Sequence, residues 1–276
     1  MIATAEASGA GLAPAYAAAR TRLGLVALLI ALAAAGWWWT ADRMRGMDEG
    51  PWTALGGFGW FVGAWVVMMG AMMFPSVAPT VALYSKLTKQ RSPLSPLMFA
   101  AGYLVVWGAV GVAAYGLASI DGDVLTWDNA GRWVAGVTLL VAAAYELTPL
   151  KDVCLGKCRS PLGFLLGAWR EGPGGALGMG AKHGAWCVGC CWALMASLFA
   201  LGVMSVFWMV VVAVLIAVEK TLPWRRAATY GTTAILLVLG VLVLAAPDAV
   251  PALTIPGLTV PAHGGMSHMQ MDRMGP

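Results

Sequence analysis

Long apolar runs recur along the chain, and they restrict its fold more than any other feature of the sequence. A helix that crosses the hydrocarbon core of a bilayer needs about 20 consecutive, mostly apolar residues. Hydrophobic residues make up 60% of the 276 and charged residues only 11%, whereas a soluble domain carries about 25% charged residues. The sequence therefore predicts an all-α, polytopic membrane helical bundle that leaves no room for a sizeable soluble domain.

Seven transmembrane helices are predicted from the apolar runs and from the turns between them. Residues 183–219 would form a helix of roughly 55 Å against a core of about 30 Å, so they must fold back once, and Gly202 is the expected turn. The predicted spans are 23–40, 57–85, 97–119, 132–147, 183–201, 203–219 and 228–246, between a flexible segment, 1–22, and a disordered His/Met-rich tail, 247–276.

The basic residues indicate the orientation of these spans. With the N-terminus inside, thirteen of the 17 basic residues fall in cytoplasmic segments and four fall outside. Cytoplasmic loops are enriched in Lys and Arg, so we predict an N-in, C-out, multi-pass membrane protein. Charges scattered over short loops do not indicate binding to nucleic acid. The expected partner of the apolar helices is membrane lipid.

The densest cluster of reactive side chains opens the fifth predicted span. Cys187, Cys190 and Cys191 are three of the five cysteines in the chain, and His183 precedes Cys187 by one turn. At about 100° per residue, these side chains share a sector of roughly 100° of the helix surface. Thiolates select Cu(I), zinc or iron–sulfur clusters, and imidazole suits copper and zinc. The cluster predicts a metal or redox site, with packing of small side chains as the alternative.

Three further groups of potential ligands lie outside that cluster. Cys154 and Cys158 occur in the predicted cytoplasmic loop before span five. A Gly-rich link, 172–180, could allow this loop to fold back over the helix of span five. Methionines on one face of span two suit Cu(I), although they also pack apolar gaps. The tail carries a His/Met tract of the metal-binding type. These residues are Met68, Met69, Met72 and Met73 on span two, and His263, Met266, His268 and Met269 in the tail.

Glu219 and Lys220 close the sixth predicted span at its cytoplasmic end. Adjacent opposite charges at the end of an apolar helix are typical of an ion pair at the membrane interface. We therefore expect the two side chains to pair with each other, with a role of Glu219 in the site as the alternative.

Several motifs resemble the bacterial family described as predicted metal-binding integral membrane proteins. The resemblance covers about 57–246, and the His/Met tail lies outside it. It implies an integral protein of a bacterial inner membrane that binds a metal. The expected protein partner then donates or accepts that metal. The matching motifs are AMMFP at 71–75, Cys154 and Cys158 followed by Arg159 and Pro161, His183-Gly184 with CVGCCWALM at 187–195, and Glu219-Lys220.

These features favour copper handling, by binding, delivery or transport, with zinc or haem as less favoured cofactors. In this hypothesis the tail collects copper, the Met face passes Cu(I) inward, and the thiols hold it near the cytoplasm. Two alternatives stay open: a membrane oxidoreductase that uses a thiol pair or a haem, and an assembly subunit of a membrane metalloenzyme. The hypothesis assigns no catalytic residue, and whether the chain is an enzyme stays open.

Overall fold

The computed structural model describes residues 3–43, 57–88, 94–121, 128–202 and 205–250, and within these ranges it is all-α, as predicted. A 3-10 turn follows the last helix. The helices are α1 (Ala3–Arg43), α2 (Phe58–Leu87), α3 (Leu94–Asp121), α4 (Asp128–Glu146), α5 (Pro149–Arg159), α6 (Pro161–Ala168), α7 (Gly172–Leu201), α8 (Val206–Thr221) and α9 (Arg225–Ala245).

Five of the described helices are long and apolar enough to cross a membrane: Leu23–Arg43 within α1, and most or all of α2, α3, α7 and α9. A sixth span results if α4 and α5, which meet at 68°, form one broken span. These counts agree with a polytopic bundle but fall short of seven. One reason is that α8 has 16 residues and is therefore about 24 Å long, against a hydrocarbon core of about 30 Å.

The outer surfaces of the helices carry large apolar side chains. Val105 and Leu117 on α3 are each 65% exposed, and Val214 on α8 is 53% exposed. Extended exposed apolar patches are rare on monomeric soluble proteins and can mark a surface in contact with a membrane. The surface therefore agrees with helices that face lipid.

Helix α7 lies at the centre of the bundle, where it packs against α3, α4 and α5, while α1 packs on α2 and α9 on α4. The crossing of α3 and α7 is very close. A Cβ at Gly180 would overlap the carbonyl oxygen of Phe99, and one at Gly102 would overlap that of Leu177. Small residues at helix crossings permit such close approach of two backbones, so these glycines fix where α7 sits.

The Gly-rich segment 172–180 is helical, so the prediction of a flexible link there is wrong. It forms the first turns of α7, which begins at Gly172 rather than at residue 183. The physical reason is that the last of its glycines, Gly180, packs against the backbone of Phe99 on α3, and such tertiary contacts override the low helix propensity of glycine. The predicted loop before it is also helical, because it forms α5 and α6.

The start of α1, the end of α7 and the C-terminal tail can each be compared with the sequence predictions. Helix α1 begins at Ala3, within the segment 1–22 that the sequence predicts to be flexible. Gly202 follows the last residue of α7 with a φ of +112°, which L side chains rarely adopt, so α7 ends at the residue before it. The tail residues 251–276 lie outside the described residues.

Candidate metal centre

Four cysteine sulfurs from two helices meet in the interior of the bundle. On α7, the Sγ atoms of Cys187, Cys190 and Cys191 all lie within 4.8 Å of one another, and these residues are 1–2% exposed. On α5, the partly buried Cys158 places its Sγ 3.7 Å from that of Cys190. We call these four side chains the thiol cluster. Soft donors collected in one buried place form a potential metal site.

The helical spacing of the α7 cysteines explains why they share one face. Residues three and four positions apart are neighbours on a helix surface, and the Sγ atoms of Cys187 and Cys191 lie 3.8 Å apart. The S–H groups of Cys190 and Cys191 donate to the carbonyl oxygen of Cys187 at 3.1 and 2.9 Å. The face that carries the thiols points into the protein.

Gly189 allows α5 to approach the thiol cluster. A Cβ at this position would lie 2.7 Å from Cys154 Sγ, and the Tyr145 hydroxyl donates a 2.5 Å hydrogen bond to the Gly189 carbonyl oxygen. Cys154 therefore lies against the backbone of α7, whereas Cys158, one turn later, contacts Cys190. The Cys154/Cys158 segment does pack over α7, as hypothesised, but as a helix, and its two cysteines have different surroundings.

Buried ion pairs tie α5 to the ends of α4 and α8. Lys151 is 1% exposed and pairs with Glu146 and, at 2.7 Å, with Glu219. Arg159 donates to the carbonyl oxygen of Glu219 at 2.7 Å. Because a buried charge needs a partner, this network holds α5 in place. It also shows that the predicted Glu219–Lys220 pair is wrong, since Glu219 pairs with Lys151.

Two polar side chains beside Cys187 were missed by sequence reasoning. The Tyr103 hydroxyl lies 3.0 Å from Cys187 Sγ, and Lys220 Nζ lies 3.1 Å from the same sulfur. A lysine at the end of an apolar helix could have signalled a site role for Lys220. Tyr103 carries no such signal, because it is one of several aromatic residues in an apolar run.

His183 lies one turn before Cys187 on α7 and is 4% exposed. Aromatic rings surround its imidazole, with the ring centroid of Phe164 at 4.9 Å and that of Phe99 at 5.9 Å. Its Nδ1 is buried and has no hydrogen-bond partner among the described residues. Buried polar groups are rarely left unsatisfied, but the described ligand atoms that lie within 4.8 Å of one another are those of the three α7 cysteines and do not include His183.

The four methionines on α2 are buried, but only Met73 contacts a residue that also contacts the thiol cluster. Met73 Sδ lies 3.8 Å from Lys220 Nζ, and the same ammonium contacts Cys187. The structure places the other three in the apolar core: Met68, Met69 and Met72. The predicted tail ligands lie outside the described residues: His263, Met266, His268 and Met269.

Comparisons with known proteins point to the same chemistry. The sequence model of the family described as "PpoB2: Copper chaperone" matches residues 62–243, and no curated protein or solved structure matches the chain. The matched range includes the whole thiol cluster, His183 and Lys220, and it covers well over half of the chain. The chain therefore belongs to the PpoB2 copper chaperone family.

Proposed function

We propose that this chain is an integral membrane copper chaperone that carries Cu(I) as its cargo. The observation that carries this proposal is the thiol cluster, in which sulfurs from α5 and α7 meet in a buried place. Thiolate is a soft ligand that selects Cu(I). Because little water reaches the site, attraction between a cation and thiolates is stronger there than at the surface. Membership of a copper chaperone family supports the choice of metal.

His183 and Met73 are the further ligands that we propose. The buried, unpartnered Nδ1 of His183 supports the first, and imidazole suits copper. Met73 is supported as a ligand because the ammonium of Lys220 contacts both Met73 and Cys187, which places the two sulfurs on either side of one group. We assign Cys154 to packing, because its sulfur lies against Gly189.

We also propose seven spans, N-in and C-out, in a bacterial inner membrane. Helices α4 and α8 complete the seven, and a short helix such as α8 is accommodated by local thinning of the bilayer. The buried Lys151–Glu219 pair and the exposed Arg225–Asp152 pair at 3.4 Å support placing the neighbouring helix ends on one side. Their basic residues favour the cytoplasmic side. An enzyme reporter that is active only outside the cytoplasm, fused after residue 276, is expected to be active.

The copper route that we propose runs from the tail to the thiol cluster. The tail would collect copper outside, the methionine face of α2 would pass Cu(I) inward, and the thiols would hold it until a partner protein accepts it. Protein that lacks residues 262–276 is expected to load copper more slowly but to retain it equally well. The residues of this route, outermost first, are His263, Met266, His268 and Met269, then Met68, Met69, Met72 and Met73.

Metal analysis of purified full-length protein tests the proposed function. The protein is loaded with Cu(I) under reducing, oxygen-free conditions and washed with a competing chelator, and copper per chain is measured. Wild type is expected to keep copper, and the triple variant Cys187→Ala/Cys190→Ala/Cys191→Ala to lose it. Cys154→Ala is the matched control and is expected to keep it. Equal copper in wild type and the triple variant would contradict the proposal, and retention of zinc alone would reassign the metal.

A further inference from the structure

Lys220 places a positive charge between the thiol cluster and α2. Its Nζ lies 3.1 Å from Cys187 Sγ, 3.5 Å from Ser76 Oγ and 3.8 Å from Met73 Sδ. Lys220 is the penultimate residue of α8, where a lysine side chain can extend along the helix toward the polar interface. The ammonium turns instead toward sulfur atoms. This arrangement makes Lys220 part of the electrostatic surroundings of any metal bound there.

No carboxylate balances this charge in the part of the chain that the structure describes. There, no Asp or Glu oxygen lies within 4.0 Å of Lys220 Nζ. Glu219 precedes it in the chain but pairs with Lys151 at 2.7 Å. An ammonium removed from water is costly unless an opposite charge accompanies it. The sulfur of Cys187 is the contacting group that can supply that charge.

The charge of the bound metal decides whether this ammonium stabilises the complex. With any given number of thiolate ligands, a Cu(I) complex carries one more negative charge than a Zn(II) complex; with two of the thiolates, for example, Cu(I) carries one net negative charge, and Lys220 neutralises it. Zn(II) held by the same two thiolates is neutral, so the ammonium leaves one uncompensated positive charge in a low-dielectric interior. Resting on the proposed copper function, we propose that Lys220 makes this site selective for a monovalent soft cation over a divalent one.

A purely mechanical role for Lys220, tying α8 to α2, leads to a different expectation. Loss of such a tie would loosen the site for every metal to a similar extent. Loss of the charge would weaken the binding of Cu(I) and leave the binding of Zn(II) unchanged or tighter. The ratio of the two affinities therefore separates the roles.

Competition titrations with Cu(I) and Zn(II) on purified full-length protein test the inference. The variants are Lys220→Met, Lys220→Gln, Lys220→Arg and the control Ser76→Ala, which removes a contact of Lys220 without changing charge. We expect both neutral variants to bind Cu(I) about ten- to a hundred-fold more weakly, with Zn(II) binding unchanged or tighter. Lys220→Arg and Ser76→Ala are expected to keep the wild-type preference.

Three results would overturn the inference. If the neutral variants lost affinity for Cu(I) and for Zn(II) equally, the role of Lys220 would be to hold α8 against α2. The same loss of preference in Lys220→Arg would show that charge is not the cause. Wild-type protein that binds no Cu(I) would overturn the proposed function as well, whereas the first two results leave that function standing.

Discussion

The Sγ atoms of Cys158 and Cys190 lie 3.7 Å apart, although 32 positions of sequence separate the two residues. Because one belongs to α5 and the other to α7, a disulfide between them would join the two helices covalently. The thiol oxidant diamide takes up the two hydrogen atoms that the thiols lose. We expect it to crosslink these two residues, as detected by mass spectrometry of proteolytic fragments.

Prior loading with Cu(I) is expected to suppress this crosslink, because the metal would occupy the sulfurs. Cys154→Ala serves as the control that leaves the crosslink intact, and Cys158→Ala should abolish it. A main product that contains Cys154 instead would contradict the arrangement of α5 over α7.

Adding a methyl group at Gly189 tests the approach of α5 without removing a thiol. In Gly189→Ala the new Cβ would lie 2.7 Å from Cys154 Sγ. We expect such overpacking to lower the free energy of unfolding by about 1–3 kcal/mol and to weaken Cu(I) binding. Both are measured on detergent-purified protein, by thermal unfolding and by chelator competition.

A second substitution checks that the clash is the cause. Cys154→Ala in the same chain removes the sulfur and should restore most of the lost stability and copper affinity. Gly178→Ala, also on α7 but with no atom within 4 Å of its added Cβ, is the matched control and should be tolerated. If the double variant recovered neither stability nor copper affinity, the contact between residue 189 and the Cys154 sulfur would not be the cause.

Removing Lys151 is expected to be far more harmful than breaking the surface ion pair nearby. Lys151→Met leaves Glu146 and Glu219 buried without their partner, which costs about 3–5 kcal/mol. In the other pair, Arg225 and Asp152 are 40% and 54% exposed, so Arg225→Ala should cost about 0–1 kcal/mol. Thermal unfolding of both variants in one detergent checks this, and equal shifts in Tm would argue against a buried network.

Tyr103 is expected to contribute to copper affinity through its hydroxyl group. In Tyr103→Phe the ring keeps its packing but the group 3.0 Å from Cys187 Sγ is lost. A hydrogen bond to a charged group contributes about 1.5–3 kcal/mol, so the dissociation constant for Cu(I) should rise about ten- to a hundred-fold. Tyr230→Phe is the control, since Tyr230 is 63% exposed. An unchanged dissociation constant would exclude Tyr103 from the site.

Local spacing was enough to predict the α7 part of the site. Cys187, Cys190 and Cys191 share a helix face whatever surrounds them, because the helix itself sets that geometry. The same holds for the end of the helix at Gly202, where the chain adopts a backbone conformation suited to glycine. Features that depend on a single helix could be predicted from sequence.

Features that depend on two helices could not be predicted in the same way. Cys154 and Cys158 look equivalent in sequence, and only the docking of α5 on Gly189 places one sulfur against the backbone of α7 and the other beside Cys190. Glu219 and Lys220 look like a pair, yet their side chains turn toward different helices. The glycines of 172–180 look like a link, because a partner helix for close packing leaves no mark on local sequence.

The contact of backbone on backbone where α3 crosses α7 has a mechanical consequence. At Gly102 and Gly180 the backbones of the two helices are in direct contact, with no side chains between them that could change rotamer. We therefore expect α3 and α7 to move as one rigid body. We therefore expect the thiols of α7 to keep their position relative to α3, and any movement that exposes them to occur in α5, which side-chain ion pairs rather than a backbone crossing hold in place.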